Sequence, residues 1–241
     1  MQSEQFLNPT DVSRAIRMLR KLGAHDITGW ALTGGLAIEI HILLRGGPTA
    51  MRLLHDIDFL AASFDRIHES LGNGLLLRHV HPSDPPGKTL LQAVDEELAI
   101  RVDVIRAYGS EMERVSEIEV SGIPLRIVSL EDVEAAHALV CWDLMLGKKV
   151  DPKYARDFLR MLALVKTDEM EGVWQEHKRP QCPESFAETA RELRNAIPAK
   201  PELLAPVARL IDVNAECPRC QGTEMLPLAD AGRVLSILGY C

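Results

Sequence analysis

The sequence lacks the features of a membrane-bound or exported protein. No apolar run approaches the roughly 18 residues that a membrane-spanning helix needs. The N-terminal segment MQSEQFLNPTDVSRAIRMLRKLG is polar and then amphipathic, without the apolar centre of a signal peptide. Both absences lead us to expect a cytoplasmic protein without a membrane partner.

Cysteine is scarce and positive charge is in deficit. The five cysteines are odd in number and irregularly spaced, so we expect thiols rather than a disulfide framework. With 27 basic and 35 acidic residues, the formal net charge is −8. This balance argues against general coating of nucleic acid, and any nucleic-acid substrate would need a local basic patch.

Cys217 and Cys220 form the only Cys-x-x-Cys pair of the sequence. Such a pair is half of a structural zinc site, and a closed site needs two further ligands. Cys182, Cys241 and His177 are available, but they form no second pair of this kind. We therefore favour two reduced cysteines in a tight turn over a zinc site.

Strand-like sequence fills the first half of the chain, and helical sequence fills the second. Short apolar runs alternate with turns up to residue 128, and Ser121-Gly122 is a hairpin signal. Ser129 begins a capping-box pattern that opens a mostly helical remainder. The sequence thus predicts an α+β protein, with a strand-bearing domain and an N-terminal helix in 1–128 and a helical C-terminal region in 129–241.

Two aspartates lie within the strand-like run 53–61. Asp56 and Asp58 are separated by one residue, so on a strand both side chains point to the same face. Two adjacent carboxylates among apolar neighbours repel each other and are costly to remove from water. A divalent cation relieves that conflict, and Mg²⁺ prefers such oxygen ligands.

A third acid, Asp103, interrupts another β-branched run, 100–105. If the two strands are neighbours, three carboxylates converge on one place, as in a two-metal site for phosphoryl or nucleotidyl transfer. Asp103 would then bind a second metal ion or accept a proton from the attacking group.

A glycine pair separates a predicted strand, 27–32, from an apolar helix, 36–44. Backbone N–H groups at such a helix start are free to bind phosphate, and glycine lets the phosphate approach closely. We therefore predict that Gly34, Gly35 and the hydroxyl of Thr33 bind the phosphates of a nucleotide.

Together these motifs resemble the DNA polymerase beta-type nucleotidyltransferase superfamily over about residues 27–165. The resemblance implies a mixed β-sheet with packed helices, an NTP as donor substrate, and Mg²⁺, as two ions. It also implies a basic residue before the acid pair, for which Arg52 is the candidate. The matching motifs are Leu32-Thr33-Gly34-Gly35, His55-Asp56-Ile57-Asp58-Phe59 and Val102-Asp103-Val104.

Within that superfamily the chain is most similar to the AbiEii-type toxin nucleotidyltransferases. They also have a hairpin that leads into a helix, as in 118–138, followed by a basic turn and an acid-bearing helix, as in 147–157. The resemblance implies that Lys149 or Lys153 contacts the donor triphosphate and that Asp157 positions this lysine. It also implies a toxin-like role, with a tRNA or protein acceptor and a cognate antitoxin as partner.

Two alternatives stay open. The segment 30–58 also resembles small aminoglycoside nucleotidyltransferases, which would mean a small-molecule acceptor. A non-catalytic nucleotide-binding or antitoxin-like module could have the same fold.

Several basic residues would hold an RNA acceptor if they do not simply form solvated faces: Arg14, Arg17, Lys21, Lys148, Lys149, Lys153, Arg156 and Arg160.

Overall fold

The described residues of the computed structural model divide into two compact units. The structure describes residues 7–48, 53–54, 56–62, 76–78, 82–83, 88–95, 97–165, 167–204 and 225–226. The first unit contains the described residues up to Glu39, those between Thr49 and Val128, and the strand Met225–Leu226. The second unit contains Ile40–Pro48 and the described residues from Ser129 to Leu204.

The first unit is built on a mixed β-sheet. Its strands are β1 (Trp30–Thr33), β2 (Asp56–Ala61), β3 (Leu76–Arg78), β4 (Pro82–Ser83), β5 (Lys88–Asp95), β6 (Ile100–Arg106), β7 (Ser116–Val120), β8 (Ile123–Ile127) and β9 (Met225–Leu226). They lie in the order β7-β8-β1-β2-β6-β5-β3-β9, and β4 pairs with β5. β2 runs parallel to β6 and antiparallel to β1.

The α+β fold class predicted from the sequence is confirmed. The alternation of buried residues along the central strands explains why they form a sheet: Ile57 and Phe59 on β2, and Val102 and Val104 on β6, are buried. The predicted hairpin is also present, because Ser121 and Gly122 have φ values of 50° and 79° between β7 and β8. Positive φ at both positions is what a tight two-residue hairpin turn requires.

Helix α1 (Pro9–Gly23) begins at an asparagine cap. The side chain of Asn8 accepts a hydrogen bond from the main-chain N–H of Asp11, and Pro9 occupies the first turn. One face of the helix buries four apolar residues at helical spacing: Ala15, Met18, Leu19 and Leu22. Capping and the apolar face together explain why this segment forms a helix.

A partly buried ion pair anchors α1 to the turn between β5 and β6. Nζ of Lys21 lies 2.5 Å from Oδ2 of Asp95, whose side chain is only 2% exposed. The other carboxylate oxygen of Asp95 accepts the main-chain N–H of Leu98 at 2.8 Å. The Asp95 carboxylate therefore has partners for both oxygens where water has little access.

Two arginines of α1 bind the same turn. Nε of Arg14 donates to the carbonyl of Leu98 at 3.0 Å, and its Nη2 donates to that of Ala99 at 2.8 Å. The exposed pair between Arg17 and Glu97 measures 2.6 Å. The basic face of α1, for which the sequence left a solvated face or a phosphate patch open, instead joins the helix to the sheet.

The second unit is helical. It contains α3 (Leu130–Cys141), α4 (Pro152–Leu162), α5 (Thr167–His177) and α6 (Phe186–Ala196), while α2 (Gly34–Leu44) begins in the first unit and ends in the second. Ser129 caps α3 by accepting the N–H of Asp132, and Asp151 caps α4 by accepting that of Lys153. Trp174, Phe158 and Phe186 are fully buried at the centre of its core.

Candidate metal and nucleotide site

Three aspartate side chains meet on neighbouring strands of the first unit. In the parallel pair of β2 and β6, Asp58 lies directly opposite Asp103, and Asp56 shares the face of Asp58. Each side chain offers a carboxylate oxygen, and these oxygens all lie within 4.8 Å of one another. The structure thus brings together the three acids that the strand pattern singled out.

Gly34 closes this cluster on the side of β1. Thr33 pairs with Asp58 across the antiparallel ladder, and α2 begins at the next residue. Gly34 has φ +63°, and a β-carbon there would lie 2.0 Å from Oδ2 of Asp58. Only glycine fits this position, because any side chain would collide with the carboxylate. The N–H groups that start α2, including that of Gly35, have no carbonyl partner within the helix.

The structure adds a residue that sequence reasoning missed, Arg101. Nη2 of its guanidinium lies 2.7 Å from Oδ2 of Asp56 and 3.0 Å from Oδ2 of Asp103. Arg101 stands two residues before Asp103 on β6 and pairs with Asp56 in the ladder. The same two-residue spacing that relates Asp56 to Asp58 would have placed Arg101 on the face of Asp103.

The Arg101 guanidinium interacts strongly with the charges of the three carboxylates. Burial by itself would lower the pKa of Arg101, but the carboxylates of Asp103, Asp56 and Asp58 outweigh burial and raise this pKa above its ordinary value. The guanidinium therefore stays charged. Three carboxylates and one guanidinium leave a formal charge of −2 in a partly shielded place, where cations are attracted.

These residues fit a divalent cation. The carboxylates provide the hard oxygen ligands that Mg²⁺ prefers, on a rigid pair of strands, and their oxygens are close enough to share an ion. A positively charged group already bridges two of them, since the Arg101 guanidinium contacts Asp56 and Asp103. The site therefore attracts and accommodates positive charge between its carboxylates.

Other predicted site residues lie in the second unit. Lys149 is exposed, Nζ of Lys153 lies 4.9 Å from the centre of the Tyr154 ring, and Asp157 is buried and pairs with Arg160 at 3.3 Å. Their assignment to the nucleotide stays a prediction.

Arg52, His55 and the cysteine pair Cys217/Cys220 lie outside the described residues. Of the further zinc ligands considered, Cys182 is buried and Nε2 of His177 lies 3.1 Å from Oδ1 of Asp132. The choice of two reduced cysteines over zinc at Cys217 and Cys220 stays a prediction.

Comparison with known proteins supports the fold rather than a sequence family. No family model matches the sequence, and a search of curated proteins finds no match. Among solved structures, the antibiotic-resistance factor ANT(2'')-Ia superimposes with a TM-score of 0.50 at 14% identity, covering 78% of this chain and 97% of its own. The chain has a nucleotidyltransferase-type fold.

A second solved structure resembles the chain more weakly. An antigenic nucleotidyltransferase-like protein from Paracoccidioides brasiliensis matches with a TM-score of 0.44 and 14% identity, over 82% of this chain and 92% of its own. The comparisons give no support to the AbiEii-type toxin subfamily. Within the described part of the chain, no helix is long and apolar enough to span a membrane.

Proposed function

We propose that this protein is a magnesium-dependent nucleotidyltransferase that moves a nucleoside monophosphate from an NTP to an acceptor hydroxyl. The observation that carries the proposal is the carboxylate cluster of Asp56, Asp58 and Asp103 beside Gly34, on a nucleotidyltransferase-type fold. Folding would be easier without three acids at one place, so their assembly favours a role in binding cations.

Each group of residues would have its own role. Asp56, Asp58 and Asp103 would hold two Mg²⁺ ions, and the bound ions would neutralise the negative charge of the phosphates. Thr33 and the N–H groups of Gly34 and Gly35 would bind the donor phosphates. Besides ligating metal, Asp103 would be placed to accept the proton of the acceptor hydroxyl.

The transfer itself is a substitution at phosphorus. The acceptor oxygen forms a bond to the α-phosphorus of the NTP, and the bond from that phosphorus to pyrophosphate breaks. Lys149 or Lys153, positioned by Asp157, would neutralise the negative charge of the triphosphate. Arg52 would be the basic residue of the nucleotide site that precedes the acid pair. A test of these four residues is a comparison of NTP affinity between the wild type and each alanine variant.

The acceptor is proposed to be macromolecular, a tRNA end or a protein side chain, in a toxin-like role with a cognate antitoxin. Arg14 and Lys21 are engaged in contacts with the β5–β6 turn, so an RNA acceptor would depend on the basic residues of the second unit, such as Lys149 and Lys153. A small molecule such as an aminoglycoside is the alternative acceptor, and a non-catalytic nucleotide-binding module is the alternative from another class.

The reaction is tested by incubation with each α-labelled NTP, Mg²⁺ and a cell lysate. Label entering RNA, protein or a small molecule identifies the acceptor. Asp58→Asn should abolish the transfer, whereas Glu119→Gln, which removes an exposed strand carboxylate of the same unit, should leave it intact. NTP binding without any transfer would favour the non-catalytic module, and the absence of both binding and transfer would refute the proposal.

A further inference from the structure

We propose that Arg101 is a built-in counterion of the carboxylate cluster, which holds the three acids together before metal binds and competes with the divalent cation for them. This inference rests on the proposed function, because it assumes that the cluster binds metal. It concerns a residue that neither the acid motifs nor the glycine corner includes.

The contacts of Arg101 are those that a metal ion would need. A single nitrogen, Nη2, contacts Oδ2 of Asp56 on β2 and Oδ2 of Asp103 on β6. It therefore bridges the two strands at the carboxylates that would serve as ligands. A cation that binds the same two oxygens has to displace Nη2 from at least one of them.

Burial makes this contact strong. The side chains of Arg101 and Asp103 are 17% and 9% exposed, so water screens their attraction only in part. Without Arg101, the carboxylates of Asp56, Asp58 and Asp103 would repel one another in a place where they cannot be fully hydrated. The guanidinium thus lowers the cost of keeping the acids assembled in the metal-free protein.

Nε of the Arg101 guanidinium lacks the hydrogen bonds that Nη2 makes. Nε of Arg101 is buried and has no hydrogen-bond partner among the described residues. A buried donor without an acceptor is unfavourable. The unpaired Nε is unfavourable only while the guanidinium stays among the carboxylates, and the cost disappears if the guanidinium moves away. A competing cation can therefore displace the Arg101 guanidinium.

A purely structural role makes the opposite prediction. If Arg101 were a permanent brace that orients the ligands, its removal would weaken metal binding. If it is a competing counterion, its removal weakens the metal-free fold but strengthens metal binding, because a positive charge next to the incoming ion is lost. The sign of the change in metal affinity therefore separates the two roles.

The experiment measures Mn²⁺ binding by calorimetry, and thermal unfolding with and without Mn²⁺, in the absence of nucleotide. We expect Arg101→Gln to unfold at a lower temperature than the wild type without metal and to bind Mn²⁺ about tenfold more tightly. Arg126→Gln is the matched control, because Arg126 donates to the main-chain oxygens of Thr28 and Met112. Its Mn²⁺ affinity should equal that of the wild type.

A second measurement uses the wild type, in case Arg101→Gln does not fold. In a ¹⁵N-labelled sample, the Nε–H signal of Arg101 should shift on addition of Mg²⁺, whereas that of Arg126 should not. Two results would overturn this inference and leave the proposed function standing. One is that Arg101→Gln binds Mn²⁺ no more tightly than the wild type. The other is that the wild type binds Mg²⁺ but the Arg101 signal does not shift. Failure of the wild type to bind either ion would overturn both.

Discussion

Gly34 lies so close to Asp58 that a β-carbon on Gly34 would sit 2.0 Å from Oδ2 of the carboxylate. The chain thus turns from β1 into α2 directly against one of the three clustered acids. A main-chain approach of this kind leaves the N–H groups at the start of α2 next to the place where the carboxylates meet. It joins the predicted phosphate-binding and metal-binding elements into one site.

This relationship predicts that Gly34→Ala disrupts the site. The added methyl group must displace the Asp58 carboxylate, and a displacement of about 1 Å in a catalytic group can cost on the order of 100-fold in rate. Gly122→Ala is the matched control, because Gly122 also has positive φ but nothing lies within 4 Å of its β-carbon position. Both variants carry the backbone strain, so only Gly34→Ala should lose nucleotidyl transfer and the Mg²⁺-dependent rise in melting temperature. Retention of both by Gly34→Ala would contradict the close approach.

Repulsion within the cluster predicts a gain of stability when one acid is neutralised. In metal-free buffer, Asp58→Asn removes a negative charge that faces Asp56 and Asp103, and we expect its melting temperature to rise by about 2–4 °C per kcal/mol of relieved repulsion. Addition of Mg²⁺ should stabilise the wild type and leave Asp58→Asn unchanged, because a ligand is missing. Thermal scans with and without Mg²⁺ check both expectations. A Mg²⁺ response in Asp58→Asn equal to that of the wild type would show that this carboxylate is no ligand.

The basic face of α1 predicts a loss of stability rather than a loss of substrate binding. Lys21→Ala leaves the nearly buried Asp95 carboxylate without its cation, which we expect to lower the free energy of unfolding by about 1–3 kcal/mol. Arg17→Ala removes an exposed pair, with side chains 56% and 78% exposed, and should cost less than about 1 kcal/mol. Denaturant titration measures both changes. If Arg17→Ala and Lys21→Ala instead reduced acceptor affinity equally at unchanged stability, the face would be a substrate-binding patch.

The sequence was most informative where a short pattern determines geometry. The spacing of Asp56 and Asp58 fixed their common face, and the Ser129 cap located the start of α3. The register that sets Asp58 opposite Asp103 depends on two strands more than 40 residues apart, so it could only be stated as a condition. Arg101 was missed because an arginine in a strand is usually read as exposed, and its role appears only once that register is known.

Glu134 of α3 is a second residue whose surroundings the sequence did not reveal. Its side chain is fully buried, and neither carboxylate oxygen has a hydrogen-bond partner among the described residues. Burial raises the pKa of Glu134 well above its ordinary value, and the negative charge of Asp157 raises it further. The folded second unit therefore keeps a proton on Glu134 at pH values where the unfolded chain has released it.

This proton makes stability depend on pH in a defined direction. Between the ordinary glutamate pKa of about 4.3 and the raised pKa of the folded state, the folded protein binds more protons than the unfolded chain, so its stability falls as pH rises, by up to about 1.4 kcal/mol per pH unit. Glu134→Gln has no such proton to lose. Its stability should match that of the wild type near pH 4 and exceed it increasingly as the pH rises toward the raised pKa of Glu134 in the folded state. Glu202→Gln, which neutralises an exposed acid of the same unit, should track the wild type across the range. Parallel curves for Glu134→Gln and the wild type would mean that Glu134 ionises alike in the folded and unfolded chains, because only a pKa difference between those states can make the two curves diverge.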